Sequence, residues 1–185
     1  MDPSQIVQEK WITDVYRFWF QDLQPEAWFR SDPTVDATIR ERFSDLHRSL
    51  IVNPISAATP KAAVASVIVL DQFSRNMFRG TPAAYASDPL ALRLSQAAIA
   101  AEFDRRLCAR ERQFLYMPFQ HSEDRAAQRR SIELFADLGM PEQLDFAEEH
   151  RAIIERFGRF PHRNAILGRP STPDEVEFLK TARAF

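Results

Sequence analysis

Cysteine occurs once and glycine four times in this 185-residue chain, and only three of its 24 basic residues are lysines. One cysteine excludes an internal disulfide and any cysteine-based zinc or iron–sulfur centre. Cys108 itself, in RRLCARER, reads either as a thiol activated by nearby arginines or as an incidental side chain. No phosphate-cradling glycine loop and no nucleophile motif is present. The longest nearly apolar stretch, 62–70, is far too short to cross a bilayer. The opening MDPSQIVQEK lacks the basic region and apolar core of a secretion signal, so a cytoplasmic protein is expected. Positive charge is also short. A net charge of −2 and a pI near 6.1 withhold the basic face that sequence-independent nucleic-acid binding needs. Neither nucleic acid nor membrane is an expected partner.

What the chain has in quantity is apolar bulk: 45% hydrophobic residues, with fifteen phenylalanines and three tryptophans. That stock, in a chain of this length with no linker-like stretch and no clean internal repeat, predicts one domain spanning 1–185. Helix starts are written as a capping side chain before proline: Asp32-Pro33, Thr59-Pro60, Asp88-Pro89 and Thr172-Pro173. Thr172 and Glu175 add a capping box, and Ser122 with Glu123 and Asp124 opens a helix that Gly139 closes. Val7, Trp11, Val15 and Phe18 share one helical face, as do Val35, Ile39, Phe43, Leu46 and Leu50. KAAVASVIVLDQF is apolar all round and predicts a central helix. With no sustained alternation of period two, the prediction is all-α, seven to nine helices in antiparallel hairpins.

Polar residues concentrate in four segments: LDQFSRNMFRGT (70–81), YMPFQHSED (116–124), EEHRAII (148–154) and FGRFPHRNAILGR (157–169). Asp71 and Arg75, four apart, are spaced for an ion pair, and Arg75, Asn76 and Arg79 cluster where their helix must end. Glu123 and Asp124 fit the first turn of a helix, where carboxylates complement the dipole. Phe146, His150, Ile153 and Phe157 form one stripe, so His150 points inward. Of the four histidines only His47 reads as surface. In the last segment Gly158 ends a helix in a left-handed turn, and Pro161 biases Phe160 toward an extended backbone. The four segments are expected to meet on one side of the helical stack.

LDQFSRNMFRGT, MPFQHSED and HRAIIERFGRFPHRNAILGRPSTPDE together resemble the bacterial family of uncharacterised proteins known as domain of unknown function family 924. The likeness covers most of the chain. It implies a tetratricopeptide-repeat-like architecture, antiparallel helix pairs stacked into an α-α superhelix, and implies no activity. Ser74 stands where the resemblance leads one to expect proline, and Phe119-Gln120 where a more apolar pair is expected.

Three functions fit the polar residues. A binding module would aim Arg75, Asn76, Arg79, Arg159, His162, Arg163, Asn164 and Arg169 at an anionic group, a peptide or protein carboxylate or a small anion. An enzyme of hydrolase-like chemistry would draw its acid and base from His121, His150, Asp71, Glu123 and Asp124. A structural tie would pair the same groups among themselves. No cofactor is implied. His-x-Glu at 121–123 superficially matches zinc deaminases, but their paired cysteines are missing, and no His-Glu-x-x-His is present. Folding should not depend on a divalent metal.

Overall fold

A computed structural model describes the backbone of residues 3–53 and 58–181, with side chains described from residue 10 onward. Among these residues every regular element is helical. The α-helices are α1 (Pro3–Arg17), α2 (Pro33–Val52), α3 (Pro60–Val67), α4 (Ser74–Met77), α5 (Asp88–Ala100), α6 (Ala109–Gln120), α7 (Arg125–Leu138), α8 (Pro141–Phe157) and α9 (Pro173–Thr181). Two of the predicted caps are seen directly. Asp32 accepts from the amides of Thr34 and Val35, and Thr59 from that of Ala62. The predicted box at α9 forms as well, Thr172 N–H donating to Glu175 Oε2 at 2.7 Å.

The apolar segment is the centre of the molecule. α3 runs through a π-helical stretch (Ile68–Phe73) into α4, and every residue of 62–74 is buried. This rod is packed by α1, α2, α5 and α6, while α6, α7 and α8 follow one another in contact. Full burial of each large aliphatic or aromatic side chain is worth about 1.5–3 kcal/mol. Trp19, Trp28, Phe73 and Phe114 gather at one end of the core, where the Trp28 indole N–H donates to the Trp19 carbonyl at 2.8 Å. A smaller cluster of Ile153, Ile154 and Phe160, with Phe157 and Phe178 against it, fastens the stretch after α8. The side chain of Val7 lies outside the described residues.

A π-helical turn pairs its backbone i→i+5 in place of i→i+4. Here the Leu70 carbonyl accepts from the hydroxyls of Ser74 at 2.7 Å and Ser87 at 2.6 Å. His47 Nε2 lies 2.8 Å from the same Ser74 hydroxyl. Ser74, the departure from proline, is thus a working part of this network.

Four local expectations are corrected. His47 is buried, since it shares the inward stripe of Phe43 and Leu50 on α2. Phe146 is exposed, at the outer end of its stripe. α7 starts two residues later than Ser122 suggests, with Asp124 as cap, accepting from Ala127 N–H at 2.8 Å. Asp88 makes no cap; it is the first residue of α5, and its carboxylate points to arginines instead.

Candidate functional site

The π-helical stretch delivers Asp71 into the core with no exposed surface. Burial alone would raise its carboxyl pKa. The nearby Arg75 charge, with hydrogen bonds from His121 and Gln72, outweighs burial and holds the group well below the usual carboxylate range. Arg75 Nη1 is 3.3 Å from Asp71 Oδ1 and donates to the Asp71 carbonyl at 2.7 Å. The rest of its fork grips Asp88, at 2.9 and 3.0 Å. Between these two acids Arg75 stays charged despite its burial.

His121 follows the last residue of α6 and places Nδ1 2.8 Å from Asp71 Oδ1. Burial lowers the imidazole pKa more than Asp71 raises it, so the ring is neutral at pH 7. A neutral ring beside an ionised carboxylate carries its proton on Nδ1, which leaves Nε2 as an acceptor. No hydrogen bond within the described residues engages that Nε2. His121 is also part of the wall of an open cleft of about 350 Å³. Most of that wall is apolar, from Pro82, Ala86, Pro89, Leu92 and Leu167, with Tyr85 beside them; Asp88, Ser122, Glu123 and Arg163 add polar groups.

Arg163 comes to this wall from the 157–169 segment. Phe160, buried and extended as Pro161 dictates, anchors the turn (φ −88°, ψ 108°). The Arg163 guanidinium lies 4.6 Å from the Tyr85 ring centre and 4.5 Å from that of Phe160. It donates to the His121 carbonyl at 3.0 Å and, more weakly, to Asp88 at 3.4 Å. Its Nε is buried without a partner. Burial and the like charge of Arg75 lower its pKa, against the pull of Asp88 and Glu123.

The expected meeting of segments is found for Asp71, Arg75, His121 and Arg163, with the His150 ring centre 6.2 Å from that of His121. His150 itself is turned to the Phe146 carbonyl at 2.7 Å, and burial pushes its pKa down to about 3. His162 packs against Phe160 and is held down to about 4 by burial and Arg163. The other arginines and asparagines predicted for the site are engaged by acids. Asn76 and Arg79 both bond Asp36 on α2, at 2.8–2.9 Å. Arg159 forks onto Glu175 at 2.7 and 2.8 Å. Arg169 forks onto Glu123 and also donates to Asn164, whose amide reaches Ser171 and Glu175. Glu123 further accepts the Phe160 amide at 2.8 Å. Asp124 caps α7. Among the described residues no three His, Cys, Asp or Glu side chains are grouped to hold a metal ion. Sequence reasoning missed Asp88 and Tyr85. Their only signal is the run YASDP, in which Ser87 and Asp88 both precede the proline and either reads as a cap.

No helix among the described residues is long and apolar enough to cross a membrane. No curated protein matches the chain. A solved structure, a protein of unknown function (ATU0120) from Agrobacterium tumefaciens, is 40% identical and superposes with a TM-score of 0.90, over 95% of this chain and 99% of the other. Residues 15–183 match the family described as bacterial protein of unknown function, DUF924; over that span MPFQHSED and FGRFPHRN supply His121, Ser122, Glu123 and Arg163 to the cleft wall, and LDQFSRNMF supplies Asp71 and Arg75 behind it. The chain belongs to the DUF924 family of bacterial proteins.

Proposed function

We propose that the cleft is a small-molecule site and that Asp71 and His121 move a proton there. The observation that carries this reading is the fully buried Asp71 carboxylate on His121 Nδ1, with Nε2 left without a partner in a residue of the cleft wall. In such a pair the carboxylate fixes the ring orientation and tautomer, and Nε2 takes a proton from water or from a substrate hydroxyl. The apolar wall favours a largely apolar substrate with one polar group. The surrounding charges balance, Asp71, Asp88 and Glu123 against Arg75, Arg163 and Arg169, so the cluster holds no surplus positive charge to draw an anion. The reaction class that fits is acid/base hydrolysis or proton transfer on a small molecule. We read 1–185 as one domain of a cytoplasmic protein, its helix pairs stacked in the tetratricopeptide-like manner; a single free thiol, Cys108, suits a reducing compartment.

The second reading is binding without chemistry, of a carboxylate or other small anion, including a peptide terminus. The unpaired Nε of Arg163 favours it. One experiment separates the two. A panel of small esters, amides, phosphomonoesters and carboxylates is offered to wild type, His121→Gln and Arg163→Lys, with turnover and melting temperature both recorded. Acid/base chemistry predicts turnover that falls about 10²- to 10⁴-fold in His121→Gln. No turnover, with carboxylates raising the melting temperature of wild type but not of Arg163→Lys, establishes binding instead.

A further inference from the structure

A second pocket, of about 230 Å³, is lined by Arg125, Gln128, Arg129, Arg151, Ile154 and Glu155 from α7 and α8. Three guanidiniums share one carboxylate there, so this pocket carries the surplus positive charge that the cleft lacks. Its internal pairing leaves donors over. Arg151 Nε is 3.7 Å from Glu155 Oε1, too far for a hydrogen bond, and this N–H is buried with no partner. Arg125 reaches only the Glu155 carbonyl, at 3.5 Å. Arg129 makes no hydrogen bond, ion pair or ring contact within the described residues.

Gln128, almost wholly buried, contributes the opposite need. Its Nε2 donates to the carbonyls of Gln120 and Ser122, each at 2.7 Å, which fixes the orientation of the amide. Oε1 is left buried and without a donor. A lone water satisfies the acceptor but not the charge. Unpaired donors, an unpaired acceptor and net positive charge in one pocket together call for a ligand that is anionic and also donates.

We infer that this pocket binds a compact oxyanion bearing its own O–H group, either hydrogen phosphate or an α-hydroxycarboxylate. Its anionic oxygens take the N–H groups of Arg151 and Arg129, and its hydroxyl donates to Gln128 Oε1. Sulfate has the charge and no hydrogen, so it leaves Gln128 unpaired; discrimination against sulfate is the signature of the site. Arginine forks suit planar or tetrahedral oxyanions in a way that lysine does not.

The test is calorimetric titration of the full chain with inorganic phosphate, lactate and sulfate at one ionic strength. The two binding arms identify which source of the shared chemistry is used. Saturable binding of phosphate or lactate is expected, at least tenfold tighter than sulfate. Arg129→Ala, a change at an exposed and unpaired side chain, should weaken it at least tenfold with the ligand-free melting temperature unchanged. His121→Gln should leave it unchanged, which sets it apart from the cleft and from any failure of the acid/base reading. Absence of saturable binding, equal affinity for sulfate, undiminished binding by Arg129→Ala, or loss in His121→Gln would each overturn the inference.

Discussion

Arg163 is where holding the fold and holding a ligand make different demands on one side chain. It is almost wholly buried between two aromatic rings, and one of its donors fixes the His121 carbonyl. Arg163→Lys keeps the charge and loses both the planar stack and the fork. Charged hydrogen bonds are worth about 1.5–3 kcal/mol each, so a loss of that size in denaturant unfolding is expected. Unchanged stability would show that the guanidinium is reserved for a ligand. The partners of Arg163 explain which residues the sequence could disclose. His121 and Arg163 were legible because histidines and arginines are conspicuous in short polar segments. Asp88 was not, because an acid before proline has a sufficient local explanation as a cap, and nothing local says that two arginines from distant segments will claim it. His47 was legible in principle: four residues after Phe43 and three before Leu50, it lies on the buried stripe of α2.

The connection from α8 to α9 is an element made by ion pairs more than by packing. Gly158 turns the chain with φ 71°, a left-handed geometry that costs most other residues about 1–2 kcal/mol. Beyond it Glu123 holds both the Phe160 amide and the Arg169 fork, and Glu175 holds Arg159. Glu123→Ala should therefore loosen this one segment. Amide exchange across 158–172 should quicken by tenfold or more, with α3 as protected as before. Equal exchange in both proteins would mean that Phe160 packing alone holds the turn. The box of Thr172 and Glu175, the left-handed glycine and the extended Phe160 were all readable, because each is a local rule satisfied within a few residues. The π-helical stretch was not. Its sequence is a plain apolar helix, and its stabilising partners, Ser87 and His47, come from elsewhere in the chain.

Over the whole molecule, the proposal of one domain predicts one cooperative transition, with tryptophan fluorescence from Trp19 and Trp28 coinciding with far-UV circular dichroism. Two separate transitions would divide the chain between its two apolar clusters. The histidines, three buried and His162 half-buried, set how that transition moves with pH. His47, His121, His150 and His162 all have pKa values lowered by burial, to about 3 for His150 and about 4 for His162, against 6.5 when unfolded. Below pH 6.5 the unfolded chain therefore binds protons that the native fold refuses, and stability falls as pH falls. The native state keeps its full stability above 6.5. His150 and His162 each cost on the order of 1 kcal/mol per pH unit below that point, down to about 3 and about 4 respectively. The carboxylates follow at lower pH. Glu175, lowered to about 2 mainly by its hydrogen bond from Arg159, supports the fold above its ordinary value of 4.5 and ceases to as the pH drops from there. Denaturant midpoints at pH 8, 7, 6, 5, 4 and 3 should be flat across the first two and then decline, steepening below 4.5. A midpoint held constant down to pH 5 would mean that the imidazoles take up protons inside the fold.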